Sequence, residues 1–212
     1  MLNKQELIQN ISLSLVYILL TLIALTPIAL ADSFDSDIYD LWNTVEEFET
    51  TYSLRKFLID KGWINEEVSV DELDYILVLT QQCSKEFFPT VSTSLVLAVI
   101  SVESGFKSNL TGLNDDTGLM QIIPKYHRDR IESYIYDENV DLYDSRLNVM
   151  VGMDYLSELI EWSNGDLGLA LMAYNMGQVK ARSLYLQNIE TPYVRNVIQC
   201  MNEIESFLER RR

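Results

Sequence analysis

Apolar residues recur along this chain every three or four positions, the spacing of one face of an α-helix. Ile38, Leu41, Val45 and Phe48 make one such face, Tyr52, Leu54, Phe57 and Leu58 a second, and Leu73, Ile76, Leu77 and the run from Leu79 to Phe87 a third. Pro89 breaks the pattern, and Thr90 stands as the N-cap of a helix predicted over 91–104. The β-branched content of that stretch alone would suit a strand, yet Leu95, Ala98, Val99 and Val102 share one helical face. Residues 107–117 are polar and hold Gly112, Asn114, Asp115 and Asp116, a loop composition, and 131–142 are poorly periodic. Leu147, Met150, Val151, Tyr155, Leu156 and Leu159 then mark an amphipathic helix that ends near Gly165. Asp166 caps the next, which carries Leu169, Ala170, Met172 and Ala173. Thr191-Pro192 opens the last, with proline at the first helical position, where its missing N–H costs nothing. Val194, Val197, Ile198, Met201, Ile204 and Leu208 form its core face, and the whole pattern predicts a nearly all-α protein.

One segment is apolar on every side. Residues 11–30 are nearly uncharged and lead through Pro27 to Ala29-Leu30-Ala31, small residues that match a signal-peptidase site. Residues 1–31 therefore read as a signal peptide or, because the run is about as long as a spanning helix, as an uncleaved N-terminal membrane anchor. Either form predicts export to the periplasm or cell envelope, with membrane contact only through this segment. The remainder of the 212 residues suits one domain of ordinary size.

A formal net charge of −16 argues against a nucleic-acid partner, because binding phosphates needs clustered Lys and Arg. Much of the acidity falls early, in residues such as Asp32, Asp35, Asp40, Glu46, Glu66 and Asp74, so 32–88 reads as an acidic helical N-terminal region ahead of a domain at 89–212. Cys83 and Cys200 either pair in an oxidising exterior or stay as buried thiols. With His127 as the only histidine, no metal set, His-dependent triad or cofactor is expected, and His127 reads as a surface residue.

Glu103 is the charge out of place. It closes the apolar run from Val91 to Val102 and is followed by Ser104-Gly105. In the last turn of a helix that Gly105 terminates, unpaired carbonyls and apolar neighbours both disfavour the carboxylate anion and raise its pKa. A carboxylic acid kept protonated near neutral pH is the proton donor that cleavage of a glycosidic bond requires. Taken singly, a helix-end Glu is more often structural than catalytic.

Three further motifs change that weighting. Glu103-Ser104-Gly105-Phe106 is followed in order by Gly118-Leu119-Met120-Gln121-Ile122-Ile123-Pro124, by Ala173-Tyr174-Asn175-Met176-Gly177, and by Tyr193-Val194. This succession, over roughly residues 91–201, resembles the SLT-type catalytic domain of bacterial lytic transglycosylases, in the lysozyme-like superfamily. The resemblance implies an all-α, lysozyme-like helical domain with a groove for peptidoglycan glycan strands. It implies Glu103 as the catalytic acid, and Ser104, Met120, Gln121, Tyr174, Asn175 and Tyr193 as substrate-binding residues. The side chains suit these roles: Gln121 and Asn175 both donate and accept hydrogen bonds, Tyr174 and Tyr193 offer ring faces and hydroxyls, and Gly118 lets backbone approach a ligand.

The reaction so implied cleaves the β-1,4 bond between N-acetylmuramic acid and N-acetylglucosamine without water and leaves a 1,6-anhydro end. A lysozyme-like muramidase hydrolysing the same bond is the alternative, and it needs a second acid. Asp115, Asp116, Asp129 and Glu132 are the nearest in sequence, and Asn114 to Thr117 stands where many family members carry small apolar residues. A third reading is a non-catalytic glycan-binding part of a secretion, conjugation or phage machine, docked through the acidic region.

Overall fold

The computed structural model describes residues 49–135 and 141–210. The predicted leader (1–31) and the acidic stretch 32–48 lie outside the described residues. Helix α1 covers residues 49–60, and α2 (Val70–Glu86), α3 (Thr93–Glu103), a short 3-10 turn (Pro124–Tyr126), α4 (Arg128–Tyr134), α5 (Ser145–Trp162), α6 (Leu167–Met176), α7 (Gln178–Tyr185) and α8 (Pro192–Glu209) follow. Among the described residues there are no strands, only isolated bridges that pair Thr117 with Thr111 and with Ile122.

Helix α3 lies at the centre of the described residues. Every residue from Ser94 to Ile100 is buried, so the helix is enclosed on all sides rather than along the single face its spacing suggested. Helices α2 and α8 pack against it, and α5, α6 and α7 complete the core. Leu54 and Leu58 of α1 and Leu73, Ile76 and Leu77 of α2 belong to the same hydrophobic cluster as Leu97 and Ile100, so residues 49–88 and the segment that follows share one core. Each such side chain contributes roughly 1.5–3 kcal/mol by leaving water.

The helix ends are set by local chemistry. Ser92, not Thr90, caps α3, its hydroxyl accepting from the Leu95 N–H at 3.2 Å. Val91 is fully buried and occupies a turn closed by its N–H on the Phe88 carbonyl, so the helix cannot start there. Thr90 instead shares a hydrogen bond with Ser157 of α5. Asp166 and Thr191 cap α6 and α8 as their positions predict. Helices α4 and α7 lack a periodic signal because the first buries no residue and the second only Ala181.

Cys83 and Cys200 are both buried and free, which overturns their pairing as a disulfide. Cys83 directs its sulfur at Met150 of α5, and Cys200 sits on α8, so each fills a separate place in the packing. No helix among the described residues is long and apolar enough to cross a membrane.

Candidate active site

Glu103 is the last residue of α3, and Ser104 caps its C-terminus. Gly105 and Phe106 then take left-handed conformations in succession (φ 56° and 68°), which turns the chain sharply. A non-glycine residue rarely adopts this conformation, and the complete burial of the Phe106 ring offsets its strain. The Gly105 carbonyl is held by the Asn65 N–H, so the connection between α1 and α2 braces the segment beside Glu103.

The Gly118–Gln121 segment forms a tight loop closed by two backbone hydrogen bonds between Thr117 and Ile122. Groups from three other elements hold it. The Ser104 hydroxyl donates to the Leu119 carbonyl at 2.8 Å, and the Tyr174 hydroxyl of α6 donates to the Met120 carbonyl at 2.8 Å. Asn148, fully buried on α5, accepts from the Met120 N–H and donates to the carbonyls of Thr117 and Leu142, all at 2.8 Å. A single amide thereby satisfies three buried backbone groups.

Gly118 serves that same contact rather than the approach of a ligand. A Cβ on it would lie 2.2 Å from Asn148 Nδ2 and 2.5 Å from the Leu142 carbonyl oxygen. Gly152, one turn beyond Asn148, likewise leaves room for Met120, whose sulfur would be 2.4 Å from an added Cβ. Sequence reasoning missed Asn148; its signal was a polar residue set among Leu147, Val149, Met150 and Val151.

The Tyr193 hydroxyl, in the first turn of α8, donates to Glu103 Oε1 at 2.6 Å. Burial pushes the Glu103 pKa up to about 7; the bond from Tyr193 opposes the shift and the negative charge of Asp116 adds to it. The carboxyl group is therefore close to half protonated at neutral pH. Burial and the same carboxylate hold the phenols of Tyr174 and Tyr193 well above their ordinary range, so both remain hydrogen-bond donors.

A cavity of about 700 Å³ extends from Tyr174, lined by Gln121, Asn175, Tyr155, His127 and Arg130 among others. Gln121 has φ 49° and donates its side-chain amide to the Gly118 carbonyl, and Asn175 is exposed at the end of α6. Ser104 and Met120, expected as substrate-binding residues, are buried and do not line this cavity; the Ser104 hydroxyl and the Met120 backbone groups are committed to holding the loop. His127 is not a surface residue: it is half-buried, with its ring against Tyr155.

Of the four other acids, Asp129 and Glu132 are exposed on α4 and Asp115 is exposed in the 107–117 loop. Asp116 is partly buried, accepts the Asn114 N–H at 3.0 Å and is near enough to Glu103 to affect its titration. Among the described residues, no three His, Cys, Asp or Glu side chains converge to hold a metal ion.

The family described as Transglycosylase SLT domain matches residues 84–191, just over half of the chain. Among solved structures, the chain is similar to the X-ray structure of the lytic transglycosylase Slt from Pseudomonas aeruginosa, determined as an inactive Glu-to-Gln mutant. Identity is 23%, the TM-score is 0.53, and the match covers 64% of this chain and 24% of that one. This chain thus aligns with about a quarter of the relative's length, and the likeness is one of helical, lysozyme-like fold. The four motifs, joined here by Glu103–Tyr193, Ser104–Leu119 and Tyr174–Met120, lie in or just beyond the matched span, and the chain belongs to the SLT transglycosylase family.

Proposed function

We propose that the protein is a peptidoglycan lytic transglycosylase, exported to the periplasm or cell envelope, with Glu103 as its catalytic residue. The observation that carries this reading is a largely buried carboxyl group, its pKa raised to about 7, that accepts the Tyr193 hydroxyl and acts electrostatically on Tyr174, a residue of the polar and aromatic cavity. Such a group has both protonation states at hand at neutral pH, which the reaction requires in turn.

In the first step Glu103 donates its proton to the oxygen that joins C1 of N-acetylmuramic acid to N-acetylglucosamine. The C1–O bond breaks through an oxocarbenium-like transition state. In the second, the C6 hydroxyl of the same muramic residue attacks C1 and gives its proton to the Glu103 carboxylate. A C1–O6 bond replaces the bond lost, the enzyme is returned protonated, and no water is consumed. Delivery of the nucleophile within one sugar gains from proximity what a hydrolase obtains from a positioned water.

Tyr193 orients the carboxyl group throughout. Gln121, Tyr174 and Asn175 supply contacts to hydroxyl and acetamido groups, while Ser104 and Met120, buried beneath them, anchor the Gly118–Gln121 loop. That relative was determined as an inactive Glu-to-Gln mutant, which agrees with an essential glutamate. Mass spectrometry of digested peptidoglycan tests the reaction: the expected muropeptides carry 1,6-anhydro ends. Products heavier by one water would show a muramidase instead, with Asp116 the acid to examine.

A further inference from the structure

The outer part of the cavity holds the chain's only histidine in an arrangement that fixes its protonation. Arg130 Nη1 lies 2.9 Å from His127 Nδ1. A guanidinium group can only donate, so Nδ1 must be the acceptor and the ring proton sits on Nε2. Arg130 cannot swing away freely, because it is bound to Asp154 at 2.9 Å and to Glu158. The imidazole also rests edge-on against Tyr155, with ring centroids 4.4 Å apart, and Tyr155 leans on Tyr174 at 5.4 Å.

These contacts leave Nε2–H as an oriented donor with no hydrogen bond to a described residue. Burial and the adjacent guanidinium both keep the ring neutral. The surrounding charge decides which acceptor fits. Of the residues that line the cavity, only Arg130 and Glu158 are charged, and they are paired, so the lining holds no unpaired cation to attract an anionic group. Ile123 and Met176 line the same cavity and offer apolar surface to a methyl group. A neutral donor beside apolar surface, in a lining without net charge, matches an acetamido group.

We propose that His127 is a specificity-determining residue that donates Nε2–H to the N-acetyl carbonyl of a glycan bound in this cavity. The inference rests on the glycan reading of the site given above.

Calorimetric titration of the Glu103→Gln protein with two oligosaccharides, the hexamer of N-acetylglucosamine and its fully deacetylated counterpart, tests it. Adding His127→Ala should weaken binding of the acetylated hexamer about 5-fold, the effect of losing one hydrogen bond, and leave the deacetylated hexamer's affinity within about 2-fold. His127→Gln, which keeps an N–H donor, should recover part of the loss. No loss, an equal loss for both oligomers, or no binding of the acetylated hexamer by a protein whose wild-type form cuts peptidoglycan would each overturn the role of His127. Wild type that leaves peptidoglycan uncut, with neither hexamer bound, would instead overturn the glycan reading on which it rests.

Discussion

At the scale of single residues, Glu103 is held in a state that costs the fold stability. The folded protein keeps this proton up to about pH 7, whereas the unfolded chain releases it near the ordinary value of 4.5. Between those two values the folded state binds more protons than the unfolded one, so stability declines as pH rises through the window and the loss is complete above it. At about 1.4 kcal/mol per pH unit the total is roughly 3 kcal/mol. Glu103→Gln removes the titration, so its stability relative to wild type should improve by roughly 2–3 kcal/mol between pH 4 and pH 8. Urea denaturation at the two pH values measures this; a constant difference would show that Glu103 is not desolvated as described. The acid and its tyrosine were legible in the sequence because an acid at the end of an apolar run is a visible conflict and Tyr193 follows a clear N-cap. His127 was not, because its burial depends on Tyr155 and Arg130, which neither motif nor spacing connects to it.

At the scale of elements, one short loop gathers the site, and helices reach it from several directions. Leu119, Met120, Thr117 and Gly118 have their backbone groups satisfied by side chains from α5, α6 and the end of α3 and by Gln121 itself. Removing the Asn148 amide would strand the Met120 N–H and the Leu142 carbonyl in the interior, each worth about 1–3 kcal/mol when unpaired, while the Thr117 carbonyl would keep its bond from the Ile122 N–H. Asn148→Ala should therefore destabilise the protein by at least about 2 kcal/mol in chemical denaturation. A change below about 1 kcal/mol would mean that water or a rearranged loop replaces the amide. Periodicity located α2 and α8, which bury one face each, and α5 and α6, although burial there runs around the helix over 147–153 and 169–173. It underread α3, which is enclosed on every side, and passed over α4 and α7, which bury almost nothing. It did not single out Asn148, since the groups this amide satisfies include Thr117 and Met120 of a loop distant in sequence.

At the scale of the whole molecule, the acidic region ahead of residue 89 is partly structural. Its described portion supplies Leu54, Leu58, Leu73, Ile76 and Leu77 to the common core, and Asn65 braces the turn beside Glu103. A chain that starts at residue 89 should lose cooperative thermal unfolding, followed by circular dichroism, because α3 would be stripped of α2 on one side. A sharp transition in that fragment would place the fold's boundary there. The proposed reaction turns on one carboxyl group acting first as acid and then as base. Its most direct test is the cleavage of purified peptidoglycan by wild type and by Glu103→Gln in parallel, with folding of both verified. Wild type should release muropeptides, and the variant should fall by at least about 100-fold, the scale of a lost general acid–base group. Undiminished cleavage by a folded Glu103→Gln protein would contradict the account.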